Sequence, residues 1–260
     1  MAQIKTYPRV MPTSECVDAA LPLSALRVAC SNCGLRDLCL PVGFSHAELA
    51  RLDGLVAKRV RVYKGASLFR TGEPFEGLYA VRSGFFKTRT TSEDGREHVT
   101  GFQMAGELLG LDGLAADAHI CDAVALEDSQ VCVIPYAQLE SVSHEFMTLQ
   151  RQFHRIMGRE IVRDHRVMAL LGGMRSEERL ATFLLNLADR LEARGFSPSS
   201  LVLRMTREEI GTYLGLKLET VSRCFSKFQS EGMLNVRQRQ IQIVDRVALQ
   251  ALVAGASFKV

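Results

Sequence analysis

Four of the seven cysteines are spaced as if to bind a metal. Cys30, Cys33 and Cys39 stand in VACSNCGLRDLC, with the spacing C-x2-C-x5-C, and Cys132 follows far downstream in EDSQVCVIP. Three thiolates from one loop can wrap one face of a metal centre, and a fourth from elsewhere can close it. Sulfur-only sets of four suit zinc or iron–sulfur. Structural zinc usually draws its ligands as two close pairs. The set here is three plus one, which favours iron–sulfur, while zinc and unrelated thiols stay open on pattern alone. In a cubane cluster each iron takes one thiolate, so losing any one of the four is expected to be severe. His46, the nearest histidine in sequence, adds no mixed Cys/His set. Cys224 and Cys121 read as small buried hydrophobes. Cys121 is also an extra thiol one hairpin from Cys132, and Cys16, in a Pro-containing leader, is assigned no role.

A second constellation lies near the other end, in TREEIGTYLGLKLETVSRCFSKFQSEG. Thr206 is a suitable N-cap, with Glu208 and Glu209 in the first turn of the helix it opens. Gly215-Leu216-Lys217 makes a turn, and a second helix runs to about Gly232. Ile210, Leu214, Leu216, Val221 and Phe225 form the apolar side. Glu219, Ser222 and Arg223 then occupy the outward N-terminal half of the second helix, the part that enters a major groove in a helix-turn-helix. Arg223 can donate two hydrogen bonds to guanine, and Glu219 can accept from a cytosine amino group. Ser222 can touch a base edge or a phosphate. Thr220, Lys227, Arg237 and Arg239 suit phosphates. Residues 234–244, LNVRQRQIQIV, alternate like a β wing.

These residues need elements to position them. The chain has 260 residues, 47% hydrophobic and 23% charged, enough for two globular domains. A net charge of +3 is by itself a weak nucleic-acid signal. No apolar run is long enough to span a membrane, and the N-terminus lacks the pattern of a secretory signal. The expectation is a cytoplasmic protein with reduced thiols. Residues 1–44 read as a cysteine-bearing segment punctuated by Pro8, Pro12 and Pro22. Residues 45–143 open with a short helix capped by Ser45. Strand-like runs follow, separated by Lys64-Gly65, Thr71-Gly72, Ser83-Gly84 and Asp94-Gly95, the pattern of an antiparallel roll. Residues 144–173 form a long helix closed by Gly172-Gly173, and 174–260 hold the helix-turn-helix and wing. In the long helix His154, Met157, Ile161, Asp164, Met168 and Leu171 follow a heptad spacing, a seam that pairs with a second copy. The next helix reads as 176–194, capped by Ser176 with an incomplete capping box, since the N3 position would then be Arg179. The overall class is α+β. No histidine pair in H-x3-H spacing and no nucleophile elbow is present, so an enzyme is not expected.

From about Cys30 to residue 250 the chain resembles the CRP/FNR superfamily of transcription factors, specifically the FNR/ANR branch of oxygen-responsive regulators. The resemblance is carried by the cysteine layout, LYAVRSGFFKT, VTGF, GELLG, RSEERLATFLLNL and EIGTYLGLKLETVSRCFSKFQ. It implies a β-roll of the cyclic-nucleotide-binding jelly-roll type, a dimerisation helix and a C-terminal winged helix-turn-helix. It also implies one oxygen-labile [4Fe–4S] cluster per subunit on Cys30, Cys33, Cys39 and Cys132. The loaded form would dimerise and bind a TTGAT-N4-ATCAA-like palindrome through Glu219, Ser222 and Arg223, and oxygen would convert the cluster and weaken the dimer. Asp164 would face its own copy across the seam, making a marginal dimer; His154 reads as a tolerated interface residue. The hairpin Asp94, Gly95 and Arg96 matches a surface that contacts RNA polymerase in the family. Gly106-Glu107-Leu108 is similar to part of a cyclic-nucleotide pocket, but the Arg-Ser pair expected after it is missing. No cyclic nucleotide is therefore expected, and Glu107 reads as structural. A same-fold regulator sensing through zinc, redox thiols or a small ligand is the alternative.

Overall fold

The computed structural model describes residues 30, 33–35, 37–56 and 58–254. The leader before Cys30, with Cys16 in it, lies outside the described residues.

Helix α1 (His46–Leu55) begins at Ser45, whose hydroxyl accepts from Glu48 N while the Glu48 carboxylate accepts from Ser45 N, a closed capping box. Eight strands follow: β1 (Lys58–Val62), β2 (Ser67–Phe69), β3 (Gly77–Ser83), β4 (Phe85–Thr91), β5 (Glu97–Met104), β6 (Leu108–Leu109), β7 (Asp122–Ala125) and β8 (Ser129–Pro135). They form two four-stranded antiparallel sheets, in the orders β1-β8-β3-β6 and β2-β7-β4-β5. This is the expected roll.

Alternation along the strands divides the roll's apolar residues between three cores. Val81, Phe86, Leu109, Ala123, Ala125 and Val131 fill the space between the sheets. Their neighbours turn outward. Ala80, Leu108 and Ile134 leave the first sheet and pack with Leu40, Leu52 and Leu55. Phe85, Phe102 and Met104 leave the second sheet and join the core of the C-terminal domain.

Two helices connect the halves where the sequence suggested one beginning near 144. Helix α2 (Tyr136–Glu145) starts directly after Pro135, and α3 (Met147–Gly173) follows a break at extended Phe146. Proline at the cap tolerates the lost N–H, so the β region passes straight into helix. Leu149, Gln152, Ile156 and Leu170 form the buried face of α3. The heptad seam lies on another face: Ile161 is 52% exposed, Met168 59% and Leu171 39%. His154 and Asp164 are exposed with them, and Met157 is half-buried.

Helix α4 (Ser176–Glu192) is capped at Arg175 rather than Ser176, one residue earlier than expected. Glu178 is thereby at N3, and its carboxylate accepts from Arg175 N at 2.7 Å. Strand β9 (Ser200–Val202), α5 (Arg207–Leu214), α6 (Leu218–Ser230), β10 (Leu234–Arg237), β11 (Gln240–Ile243) and α7 (Arg246–Ala254) complete the domain. The wing is a three-stranded sheet in the order β10-β11-β9; β9 was not foreseen as its third strand.

Candidate cysteine centre and nucleic-acid interface

The four spaced cysteines meet. Cys30, Cys33, Cys39 and Cys132 line one small pocket with Leu40, Leu52, Ala80 and Ile134. Cys132 lies in β8, paired across the ladder with Ala80 on β3 and Arg59 on β1. It therefore shares the outward face of the first sheet with Ala80 and Ile134. The other three come from the segment ahead of α1, whose backbone hydrogen bonds include short local turns such as Cys33 N to Cys30 O at 3.1 Å and Cys39 N to Leu35 O at 3.0 Å. All four thiols are free and half-buried.

Burial pushes the Cys30 thiol up to about 12, and the neighbouring Cys132 adds to the effect. Burial likewise pushes Cys39 up to about 12, partly opposed by a hydrogen bond from Leu40 N–H. Without a cation these two sulfurs stay protonated, and metal loading must displace their protons. The donor set is all sulfur, with no histidine or carboxylate among the pocket-lining residues. That chemistry fits an iron–sulfur cluster. Among the described residues, no three His, Cys, Asp or Glu side chains are placed to hold one metal ion. The pocket is small, about 30 Å³.

Cys121 is not at this pocket. It packs in the core between the sheets, and its Sγ lies 3.4 Å from Asp112 Oδ2. Burial, then Asp112, pushes that thiol up. Cys224 is 4% exposed in the C-terminal core. Both read as the small hydrophobes expected.

The helix-turn-helix is α5 and α6. Thr206 Oγ1 accepts from Glu209 N at 3.1 Å and the Glu209 carboxylate accepts from Thr206 N at 2.6 Å, closing a capping box. A Cβ on Gly211 would stand 2.6 Å from Leu216 O, so only glycine lets the turn fold back onto α5. Val221, Phe225 and Phe228 are buried. Glu219 and Arg223 are exposed and Ser222 is half-buried on the first turns of α6. Arg223 Nη2 reaches Thr220 Oγ1 at 3.4 Å. Lys227 is held by Glu177 of α4 at 2.8 Å. Arg237 and Arg239 stand exposed at the tip of the wing. In the β4–β5 hairpin, Arg96 Nε donates to Asp94 Oδ2 at 2.6 Å and Gly95 has φ 81°. The Arg96 and Ser92 hydrogen bonds hold the Asp94 carboxyl down at about 2.

Three groups of residues join the domains; the sequence reading took Glu107 as structural but placed none of these contacts. Arg179 donates to Leu171 O, Met174 O and Leu214 O at 2.9, 2.9 and 3.0 Å, tying the end of α3 to the end of α5. Glu107 accepts from Arg190 Nη2 at 2.5 Å and Arg194 Nη2 at 2.7 Å, both from α4, and from Met104 N at 3.0 Å. Burial works to raise the Glu107 carboxyl, but the two arginines outweigh it and hold it below the usual carboxylate range. Lys87 of β4 meets Glu209 of α5 at 2.7 Å. The two ion-paired groups depend on long-range charge pairing and Arg179 on backbone carbonyls brought together by the fold, neither of which a single sequence carries.

A roll bearing a thiol pocket, a long helix with an exposed apolar seam and a winged helix-turn-helix define a two-domain transcription regulator. Residues 59–145 match the cyclic nucleotide-binding domain family and 178–252 the Crp-like helix-turn-helix domain family. The chain is 47% identical over 237 residues to the transcriptional regulatory protein btr of Bordetella pertussis, covering 91% of this chain and 98% of that one. It is 42% identical to the transcriptional activator protein anr of Pseudomonas aeruginosa, covering 87% of this chain and 93% of that one. Among solved structures, FixK2 from Bradyrhizobium japonicum superposes with a TM-score of 0.72 at 32% identity, covering 78% of this chain and all of that one, 100%. The chain belongs to the CRP/FNR superfamily, as an FNR/ANR-type regulator. It is a non-catalytic regulator rather than an enzyme. Among the described residues, no helix is long and apolar enough to cross a membrane.

Proposed function

We propose that this protein is an oxygen-sensing regulator of anaerobic metabolism genes. The observation that carries the reading is the convergence of Cys30, Cys33, Cys39 and Cys132 on one all-sulfur pocket. A [4Fe–4S] cluster, one per subunit, would supply an oxygen-labile tie between the N-terminal segment and β8. Cys132 anchors the tie on a rigid central strand. The other three cysteines stand on the segment ahead of α1, so loading the site would couple that segment's placement to the cluster.

The seam of α3 then takes a second copy of the chain. His154, Met157, Ile161, Asp164, Met168 and Leu171 meet their counterparts, and the paired Asp164 carboxylates keep the dimer marginal. A modest contribution from the ordered segment tips that balance. The dimer presents two α6 helices to inverted half-sites of the TTGAT-N4-ATCAA type. Arg223 donates to guanine, Glu219 accepts from cytosine and Ser222 contacts a base edge. Thr220, Lys227, Arg237 and Arg239 hold phosphates, and Lys227 must exchange Glu177 for its phosphate. Asp94, Gly95 and Arg96 offer RNA polymerase an exposed, internally braced hairpin. Cyclic nucleotide has no role: the Glu107 carboxylate is taken by Arg190 and Arg194.

The test is the visible spectrum of protein purified without oxygen, with iron and sulfide quantified. A broad band near ~400–420 nm with about four irons per chain, changing in air, is expected. Colourless protein after anaerobic iron–sulfide reconstitution would overturn the reading.

A further inference from the structure

The Glu107 network is a largely buried set of charges that crosses between the two domains. The Glu107 side chain is 16% exposed, Arg190 18% and Arg194 7%. Each arginine also caps a backbone carbonyl of the roll: Arg190 Nη2 donates to Phe102 O at 2.6 Å and Arg194 Nε to Ala105 O at 2.6 Å. Arg194 also reaches Arg190 O. The two guanidiniums thus bind the end of β5 and the β5–β6 turn at three separate groups. Beside them Phe102 meets Phe183 of α4 and Tyr213 of α5, with ring centroids 6.0 and 5.2 Å away.

Apolar contact is non-directional and would let the domains slide or rotate. Forked guanidinium bonds to a carboxylate and two carbonyls are directional. Buried ion pairs are weak sources of stability, and their best-attested use is to fix a register. A two-half-site operator needs such a register, because two recognition helices must enter grooves at a set separation.

We propose that Glu107 is a positioning residue for DNA reading: with Arg190 and Arg194 it fixes the angle at which the winged helix-turn-helix is held against the roll. This rests on the DNA-binding reading above. The glutamate of the nucleotide-pocket-like GEL sequence is thereby put to use between domains.

The test uses the full chain, reconstituted without oxygen, and duplexes whose half-sites are separated by three, four, five or six base pairs. Two variants are compared with the parent: Glu107→Gln, and Glu107→Gln combined with Arg190→Gln. The second removes both charges and so leaves Arg194 as the only buried charge of the network. The parent should prefer the four-base spacing by about tenfold or more, and in both variants the preference should shrink to within about twofold. Small-angle X-ray scattering without DNA should show a broader distribution of interdomain distances in the variants. An equal loss of affinity at every spacing, with the preference intact, would mean a merely structural role and overturn the proposal. An unchanged scattering profile in both variants overturns it too, whatever the DNA result. Should the parent bind no duplex, the DNA-reading assignment fails, and the positioning role in DNA reading falls with it even where scattering detects the clamp.

Discussion

The cysteine pocket and the winged helix-turn-helix occupy opposite outer faces of one roll, and they are held there in different ways. The reader face is densely built. Phe85, Phe102 and Met104 of the roll share a core with Leu184, Ile210, Val221 and Phe228, and ion pairs from Lys87 and Glu107 cross the boundary. The cysteine face is thinner. Among the described residues of its segment Leu40 and Pro41 are buried, and the four thiols are half-buried. Local stability follows such packing, so change at the pocket need not disturb the reader's fold. Leu38 sits over Gly106, where a Cβ would come within 2.9 Å of Leu38 Cβ and φ is 88°, and the next residue is Glu107.

The largest effect should separate the two faces cleanly. Cys132→Ser should lower iron from about four per chain to near none, because each iron of a cubane needs its own thiolate. Anaerobic affinity for a two-half-site duplex should fall by about a hundredfold or more, a shift that a few kcal/mol in a two-state dimer equilibrium produces. The melting of the C-terminal domain, followed by calorimetry, should stay where it was. If that domain unfolds as well, the contrast between the faces is wrong.

The converse change strikes the dense face. Phe225 is 2% exposed, with the Arg207 guanidinium 4.2 Å from its ring centroid. Phe225→Ala should cost about 3–5 kcal/mol in urea denaturation. Iron content after reconstitution should be unchanged, which would confirm that the pocket assembles without the reader's core.

What could be read in the sequence differs between the faces in the same way. The helix-turn-helix was legible because local rules fix it: Thr206 and Glu209 cap, Gly215 turns, and Val221 and Phe225 recur at helical spacing. The roll was legible from its Gly turns and alternation. The cysteines announced a chemistry through spacing, yet their convergence with Cys132 depends on the β8 register, which no local pattern states. Alternation also does not say what each outer face meets: Phe85, on the outward face of β4, belongs to the reader's core. Arg179 illustrates the limit best. In the sequence it was the residue that spoiled a capping box; in the fold it serves three carbonyls at the joint between α3 and α5.

That joint gives an intermediate test. Arg179→Ala leaves those carbonyls short of a donor and should cost roughly 2 kcal/mol of stability. Arg179→Lys should recover only part, because an ammonium cannot reproduce the planar fork. A full recovery by lysine would mean that charge, not geometry, couples the helix to the reader. A smaller effect lies on the seam. Asp164→Ala should strengthen the dimer of air-exposed protein by about tenfold in sedimentation equilibrium, since ~1.4 kcal/mol is enough for that and carboxylate repulsion is removed. An unchanged monomer fraction in air would remove Asp164 from the switch.

The smallest expected effect is the acid sensitivity of the interdomain clamp. Burial favours the neutral form of Glu107, but Arg190 and Arg194 favour the anion more, and the folded-state value lies below the ordinary one. A group depressed in the folded state binds fewer protons there than in the unfolded chain. Its stabilising contribution is therefore whole above the unfolded value, about 4.3 for glutamate, and drains as pH falls through the folded value. Urea midpoints of the parent and of Glu107→Gln should differ most between about pH 5 and 7, and the gap should narrow steadily below about pH 4. The glutamine variant cannot titrate at that position, so the narrowing reports this carboxylate together with its effect on the neighbouring Glu160, which the Glu107 charge helps to raise. A gap independent of pH would mean that Glu107 contributes through packing rather than charge, and the arginines of α4 would then be held by the carbonyls of Phe102 and Ala105 alone.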